Sequence, residues 1–157
     1  MKPCPWPVAA LLPHAPPMIL IDRVLSWAEG RLLAEVTVRP EAPFYDPARR
    51  GIAAHVAIEW MAQSCGAYVG AEALESGDAV RLGLLLGTRD FRAARPWFAD
   101  GERLEVAVSL VYRDGEMGVF DCAVAPPAAE PVATAQLTVY QPADASALLG
   151  QGRASSS

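Results

Sequence analysis

Runs of apolar residues divide the chain into a central helix flanked by strands. Apolar and polar side chains alternate along Arg31–Arg39, and the turn Ala28-Glu29-Gly30 joins this segment to the apolar run Met18–Trp27. The pattern therefore predicts a β-hairpin. Four more runs, rich in β-branched and aromatic residues, are separated by Gly- and Pro-containing turns. These predicted strands are Val80–Phe91, Glu102–Tyr112, Met117–Ala125 and Pro131–Tyr140.

Between the two groups of strands, Gly51–Ala71 predicts one long helix. The segment has no proline and a single formal charge, Glu59. A membrane span of about 20 residues is predominantly apolar, whereas several polar side chains would lie at mid-depth here. A buried central helix is therefore favoured. We expect it to run to about Ser76, where Gly77 supplies a left-handed cap.

The order of elements is typical of an α+β domain in which an antiparallel sheet of about six strands wraps around one helix. We expect a single domain over residues 1–142, with Pro40–Arg50 as a loop. Residues 1–17 form a proline-rich arm that has room for one helical turn around Val8–Leu12. Residues 143–157 are predicted to be a disordered tail.

Composition narrows the possible functions. The 157 residues suit one domain with one core, and 52% hydrophobic against 20% charged residues is typical of a globular protein. A net charge of -5 argues against general nucleic-acid binding, which needs a basic surface. The first ten residues lack the apolar stretch of a secretory signal. The three cysteines are far apart, which indicates free thiols in a reducing cytoplasm rather than a metal site.

Candidate chemistry lies on the predicted helix, where His55, Glu59 and Gln63 are four residues apart and share one face. A carboxylate on a largely apolar helix is costly unless it is paired or used. Glu59 therefore belongs either to a structural polar network or to a pocket wall. In a pocket, burial raises the pKa of a carboxyl group and makes it a general acid. His55 is either its catalytic partner or a packed helix side chain.

Three motifs resemble the 3-hydroxyacyl-acyl-carrier-protein dehydratases. The opening of that family is similar to Leu11–His14 with Met18–Val24. Its central-helix motif is similar to Glu59-Trp60-Met61-Ala62-Gln63. Its third strand and the following turn are similar to Phe91-Arg92 and Arg95-Pro96 followed by Asp100–Leu104. The likeness covers about Leu11–Tyr140. The chain is most similar to the dehydratase-like subunits encoded with aryl polyene biosynthesis, which share the loop Phe44-Tyr45-Asp46-Pro47.

This resemblance implies a hotdog fold and a homodimer or heterodimer. In that family the helix carboxylate and a loop histidine come from different chains. Glu59 matches the carboxylate, but Tyr45 stands where the loop histidine is expected. Ala54 matches a helix-start glycine whose N–H polarises the thioester carbonyl, and the N–H survives the change of side chain. The base is then His55, His14, a histidine of the partner chain, or absent.

The implied function is dehydration of a 3-hydroxyacyl thioester by a cytoplasmic protein that binds neither nucleic acid nor membrane. The substrate arrives on the phosphopantetheine of an acyl carrier protein or on CoA, and no other cofactor and no metal are expected. Ala54, Gln63 and Tyr45 are the candidate substrate-binding residues. The cluster Arg89, Arg92 and Arg95 either docks the acidic carrier and its phosphate or is a solvated edge. The alternatives are a hotdog thioesterase, in which Glu59 activates water, and a catalytically silent partner subunit.

Overall fold

The structure is a computed structural model that describes residues 1–12, 19–80 and 83–141. Two sequence-based predictions fall outside these ranges. One is a catalytic role for His14, and the other is the tail at residues 143–157.

Within the described residues, ten strands form two antiparallel sheets. The large sheet contains β1 (Lys2–Pro3), β2 (Arg23–Ala28), β3 (Arg31–Thr37), β6 (Leu84–Ala93), β8 (Arg103–Asp114), β9 (Met117–Ala125) and β10 (Ala133–Tyr140), in the order β1-β2-β3-β8-β9-β10-β6. The small sheet contains β4 (Tyr45–Asp46), β5 (Gly51–Ala53) and β7 (Trp97–Ala99), in the order β4-β5-β7. The α+β class is confirmed. The predicted sheet of about six strands agrees with the large sheet, which has six longer strands and the two-residue β1. The short strands carry no readable period and were not predicted.

The central helix α2 spans Ala57–Glu75 and follows a 3₁₀ turn at Ala54–Val56. The predicted helix start at Gly51 is wrong, because Gly51–Ala53 is the middle strand of the small sheet. The backbone approach there is close: a Cβ on Gly51 would lie 2.3 Å from the carbonyl oxygen of Phe98. Position 51 therefore requires glycine, because a side chain there would collide with the neighbouring strand.

The helix ends as predicted. Gly77 has a φ of 76° and follows the C-cap Ser76. The N–H of Gly77 donates to the carbonyl of Leu74 (3.1 Å), and the N–H of Asp78 donates to that of Ala73 (2.7 Å). This pair of bonds is the Schellman motif, which needs a left-handed residue in its middle.

One face of α2 packs on the large sheet and forms the core. Trp60, Met61, Cys65, Tyr68 and Ala71 are all buried along this face. The Tyr68 ring stacks edge-on at 5.8 Å from the ring of Phe120 in β9. The Sγ atoms of Cys65 and Cys122 are 3.7 Å apart, so the helix contacts the sheet through thiols that are both free.

The N-terminal arm contains the predicted helical turn, α1 (Val8–Leu11), which packs on α2. The contact is at Gly70, where a Cβ would lie 2.2 Å from the carbonyl oxygen of Leu11. Two backbones touch at this point, so Gly70 fixes the arm against the helix. Neither described helix combines the length and the hydropathy that a membrane crossing requires.

Candidate functional site

Glu59 lies on the face of α2 that the sheet does not cover. Its side chain is exposed, although the next two residues, Trp60 and Met61, are buried. The expectation of a buried carboxylate is therefore wrong for the single chain. One sheet covers only one side of a helix, and the opposite side remains open for solvent or a second subunit.

His55 is also exposed, and it lies in the 3₁₀ turn that precedes α2. A 3₁₀ turn advances about 120° per residue, because it has about 3.0 residues per turn. His55 is therefore rotated further around the axis from Glu59 than a continuous α-helix would place it. The two side chains share the open side of the chain near the helix start.

Gln63 is half-buried and holds the segment before β2. Its side-chain oxygen accepts a hydrogen bond from the N–H of Leu20 at 2.7 Å, across 43 residues of sequence. This bond connects the middle of α2 to the chain that enters the sheet. The structure thus gives Gln63 a positioning contact.

The N–H of Ala54 is already bonded. It donates to the carbonyl of Pro96 at 2.8 Å. The ladder that pairs Ala53 with Trp97 continues one residue further and brings these two groups together. The expectation that Ala54 offers its N–H to a thioester carbonyl is wrong for this chain, since the sheet uses the donor.

Tyr45 occupies the position of the expected loop histidine. Partial burial is the main factor that raises the pKa of its phenol above the usual value, and the hydrogen-bonded carboxylate of Asp100 raises it further, while Arg50 partly offsets these effects. Tyr45 is therefore protonated at neutral pH and acts as a hydrogen-bond donor rather than as a base. Sequence reasoning interpreted Asp100 only as a turn residue and missed this contact.

Arg95 is not a free cation. Its guanidinium forms a two-pronged ion pair with the carboxylate of Glu102 and lies 5.5 Å from the ring centre of Phe98. Glu102 also accepts the N–H of Ala99 at 3.0 Å. This pairing fastens β7 to the turn before β8, and carrier binding by the three arginines stays a prediction.

Arg89 and Arg92 are exposed on β6 and lie on the same face of the sheet. Residues three apart on a regular strand point to opposite faces. Here Arg92 pairs with Thr134 and Arg89 pairs with Gln136, so one residue of β10 lies opposite two residues of β6. The extra residue is a bulge with Asp90 at a φ of 56°. The bulge brings the two guanidinium groups to one side.

The cavity at the other end of α2 is separate from these residues. It has a volume of about 530 Å³ and is lined by the C-terminal half of the helix together with Trp27, Arg113 and Phe120, not by Glu59 or His55. Inside it, Tyr68 accepts the N–H of Gly30 (2.8 Å) and donates to Glu72 (3.1 Å). Glu72 is also paired with Arg113.

Comparisons with known proteins agree with one another. The family model for ApeP-like proteins, described as ApeP dehydratase, matches residues 6–150. The FabZ 3-hydroxyacyl-[acyl-carrier-protein] dehydratases of Anaeromyxobacter sp. strain Fw109-5 and Anaeromyxobacter dehalogenans strain 2CP-1 are 30% and 31% identical to this chain, over 69% of it and 71% of each relative.

Among solved structures, a chain of the dehydratase heterocomplex ApeI:P from Xenorhabdus doucetiae superposes with a TM-score of 0.86 at 30% identity, over 93% of this chain and 97% of that one. A hypothetical thioesterase from Streptococcus pneumoniae TIGR4, solved with coenzyme A, superposes with a TM-score of 0.60 over 76% of this chain and 84% of that one. At 12% identity, the second likeness shows a shared hotdog-type fold alone.

Proposed function

Since this chain belongs to the ApeP-like dehydratase family, we propose that it acts in the dehydration of a 3-hydroxyacyl thioester to the 2-enoyl thioester. The substrate is carried on the phosphopantetheine of an acyl carrier protein in the cytoplasm. The chain acts as one subunit of a two-chain hotdog complex. FabZ relatives are named as dehydratases of carrier-bound substrates, and the Xenorhabdus doucetiae structure is a heterocomplex, which supports both parts of the proposal.

The observation that carries the proposal is the open position of Glu59. The carboxylate matches the family's helix motif, yet it faces away from the chain's own core. A second subunit that packs on this face would enclose Glu59 in a pocket that excludes water. Loss of solvent disfavours the ionised form of a carboxyl group, so an enclosed carboxyl group keeps the proton that a general acid donates.

In the reaction, the Glu59 carboxyl protonates the departing 3-hydroxyl group. A base removes the proton on carbon 2, the C–O bond breaks, a C2=C3 double bond forms, and water leaves. Tyr45 is not this base, because its phenol is protonated and donates to Asp100. An imidazole of the second subunit, or His55, takes that proton.

Arg89 and Arg92 receive the carrier. Carrier proteins are acidic, and this chain has a net charge of -5, so docking needs a local basic surface. Two guanidinium groups on one face of β6 provide it and suit the phosphate of phosphopantetheine.

The test is product identity. The chain is incubated with a 3-hydroxyacyl carrier thioester, alone and with a dehydratase-type hotdog subunit from the same organism, and the acyl group is analysed by mass spectrometry. Loss of one water from an acyl group still bound to the carrier is the expected result. Release of free acid would indicate a thioesterase, and an unchanged substrate in both incubations would rule out the dehydratase function.

A further inference from the structure

Phe44 is held in an unfavourable backbone conformation and buries little of its side chain. Its φ is 69°, in the left-handed region that bulky residues avoid, and its side chain is 61% exposed. In most proteins such strain is compensated by packing of the side chain. The ring of Phe44 contributes little packing to its own chain.

The positive φ of Phe44 belongs to the turn Ala42–Tyr45, in which the N–H of Tyr45 donates to the carbonyl of Ala42 at 3.3 Å. Bonds on the C-terminal side of Phe44 then hold the strand that follows. Tyr45 and Asp46 pair with Ile52 and Gly51 in the small sheet. The Asp46 carboxylate accepts the N–H of Ala48 at 2.9 Å. The N–H of Asp100 donates to the carbonyl of Arg50 at 2.9 Å. The loop is therefore rigid next to Phe44 and presents the ring in a fixed position.

Phe44 lies beside the candidate site. Tyr45 pairs with Ile52 in an antiparallel register, so Phe44 is level with Ala53. Ala53 is the last residue of β5 and comes two residues before His55. The exposed ring and the exposed imidazole are thus near the same end of the small sheet.

We propose that Phe44 is an anchor that this chain inserts into an apolar recess of the second hotdog subunit, next to the shared site. The inference rests on the proposed two-chain function. A rigid, exposed aromatic side chain is the usual centre of a protein interface, since it loses little entropy when it binds. The partner is a different subunit rather than a second copy, as in the heterocomplex from Xenorhabdus doucetiae, which this chain matches over 93% of its length.

Four variants of the full chain separate the anchor from the backbone strain. Phe44→Ala removes the ring and keeps a Cβ, whereas Phe44→Gly removes the ring and also relieves the strain. Arg50→Gly relieves a similar strain, at a φ of 55°, without loss of an aromatic ring. Tyr112→Ala removes another exposed ring, 59% accessible, from the far part of β8.

Each variant is titrated calorimetrically against a dehydratase-type hotdog subunit from the same organism. Both Phe44 variants should lower the affinity at least about 30-fold, the size of an interface hot spot. The Arg50 and Tyr112 variants should stay within about 2-fold of the wild type. Phe44→Gly should also unfold at a urea concentration at least as high as Phe44→Ala does, because glycine is at ease at this φ.

Three results would overturn the inference: wild-type affinity in Phe44→Ala, a wild-type chain that binds no second subunit, or a homodimer that Phe44→Ala dissociates. The first result leaves the proposed function intact if the complex still forms enoyl thioester. Conversely, a complex that depends on Phe44 but never yields enoyl product supports the anchor and removes the proposed reaction.

Discussion

Glu59 combines charge and exposure on a helix whose neighbouring residues are buried. Trp60 and Met61 are 2% and 0% exposed, whereas Glu59 is open to solvent. Substitution at Glu59 therefore disturbs no packing inside its own chain. This separation makes it possible to test the chemistry of the carboxyl group without loss of the fold.

Glu59→Gln should lower the dehydration rate of the two-chain complex by about 10²–10⁴, the usual contribution of a positioned acid–base group. The free energy of unfolding should change by less than about 0.5 kcal/mol, as for other exposed substitutions. Steady-state kinetics and urea unfolding give the two numbers. Glu29→Gln, at an exposed carboxylate of the β2–β3 turn, is the matched control.

His55→Gln, measured in parallel, identifies the base. A loss as large as that of Glu59→Gln indicates that His55 takes the carbon-2 proton, and wild-type activity leaves this role to the second subunit. A loss of stability in Glu59→Gln with unchanged activity per folded molecule would instead make Glu59 a structural residue.

The arginines also differ in role. Arg95→Ala should destabilise the fold by about 1–2 kcal/mol, between the values for exposed and buried ion pairs, because it leaves Glu102 unpaired. Its affinity for the carrier should not change.

Arg89→Ala with Arg92→Ala should leave stability unchanged and weaken carrier binding, most strongly at low salt. Urea unfolding and carrier titrations at two salt concentrations test both expectations. If all three arginines form one docking patch, Arg95→Ala will also weaken carrier binding.

The sequence identified Glu59, His55 and Tyr45 but not their surroundings. Motif spacing locates a residue along the chain, whereas exposure depends on which side of α2 the sheet covers. A helix that is apolar around most of its circumference does not reveal that side. Hydrogen-bond partners that are distant in sequence, such as Asp100 for Tyr45 and Pro96 for Ala54, could not be predicted from the sequence either.

At the scale of elements, two glycines of α2 face the N-terminal arm, and they differ in whether an added methyl group would meet a backbone or a side chain. Gly70 touches the backbone of Leu11, whereas a Cβ on Gly66 would meet only the end of the Leu12 side chain, at 3.3 Å. A flexible side chain can move by a few tenths of an ångström, but a packed backbone cannot. The two positions lie one helical turn apart and form a natural pair for comparison.

Gly70→Ala should destabilise the protein by about 1–3 kcal/mol, the usual cost of overpacking, and should loosen the N-terminal arm. Gly66→Ala gains about 0.5–1 kcal/mol of helix propensity and should be neutral or stabilising. Thermal unfolding measures both, and hydrogen exchange in residues 8–11 reports on the arm. Equal effects at the two positions would mean that α1 does not pack on α2 at Gly70.

Cys65 makes the helix–sheet contact sensitive to alkali. Burial is the main cause that raises the pKa of its thiol well above the usual value, and the neighbouring Cys122 raises it further. The folded chain therefore keeps the proton, while the unfolded chain releases it above a pH of about 8.5. The stability that this group contributes is fully present below that pH and is lost as the pH rises.

Urea unfolding in a reducing buffer should thus show a stability that falls above a pH of about 8.5, by at most about 1.4 kcal/mol per pH unit for this group. Cys65→Ala should make the decline shallower and should lower the stability at pH 7 because it leaves a small cavity. Cys4→Ala is the control. An identical decline in all three proteins would exclude Cys65 as the cause.

The sequence predicted long elements better than short ones. The bounds of β9 and the left-handed cap at Gly77 agree with the structure, since alternation and a lone glycine are strong local signals. The start of α2 was wrong because the close approach of Gly51 to Phe98 depends on residues almost 50 positions apart. Strands of two or three residues, such as β4 and β7, have no period to detect.

At the scale of the whole molecule, the described residues leave the outer edge of β6 and one side of α2 open. β6 ends the strand order, and Leu85 and Leu86 on it are 39% and 57% exposed. An exposed edge of this kind can pair with another chain. We expect a dimer that buries at least about 1,200 Å² in total, the scale of a specific interface.

Light scattering at micromolar concentration, with the chain alone and mixed with the second subunit, tests this expectation. A mass that equals two subunits in the mixture is expected. Monomers alone in both samples would contradict the interface. Leu86→Lys should prevent association, because it places a charge at the centre of an apolar contact, and Glu29→Lys, at the β2–β3 turn, should not.

The open edge of β6 also bears on how much of this chain a cell can safely make. The outer edge of this ten-residue strand, which carries two adjacent leucines, is a template on which identical chains can add to one another. A surplus over the second subunit would leave that template uncapped, and the surplus would be degraded or precipitate. Matched synthesis of the two subunits, with both messages translated together, would cap each edge soon after it folds. The open edge of β6 would then favour the synthesis of both subunits in equal amounts.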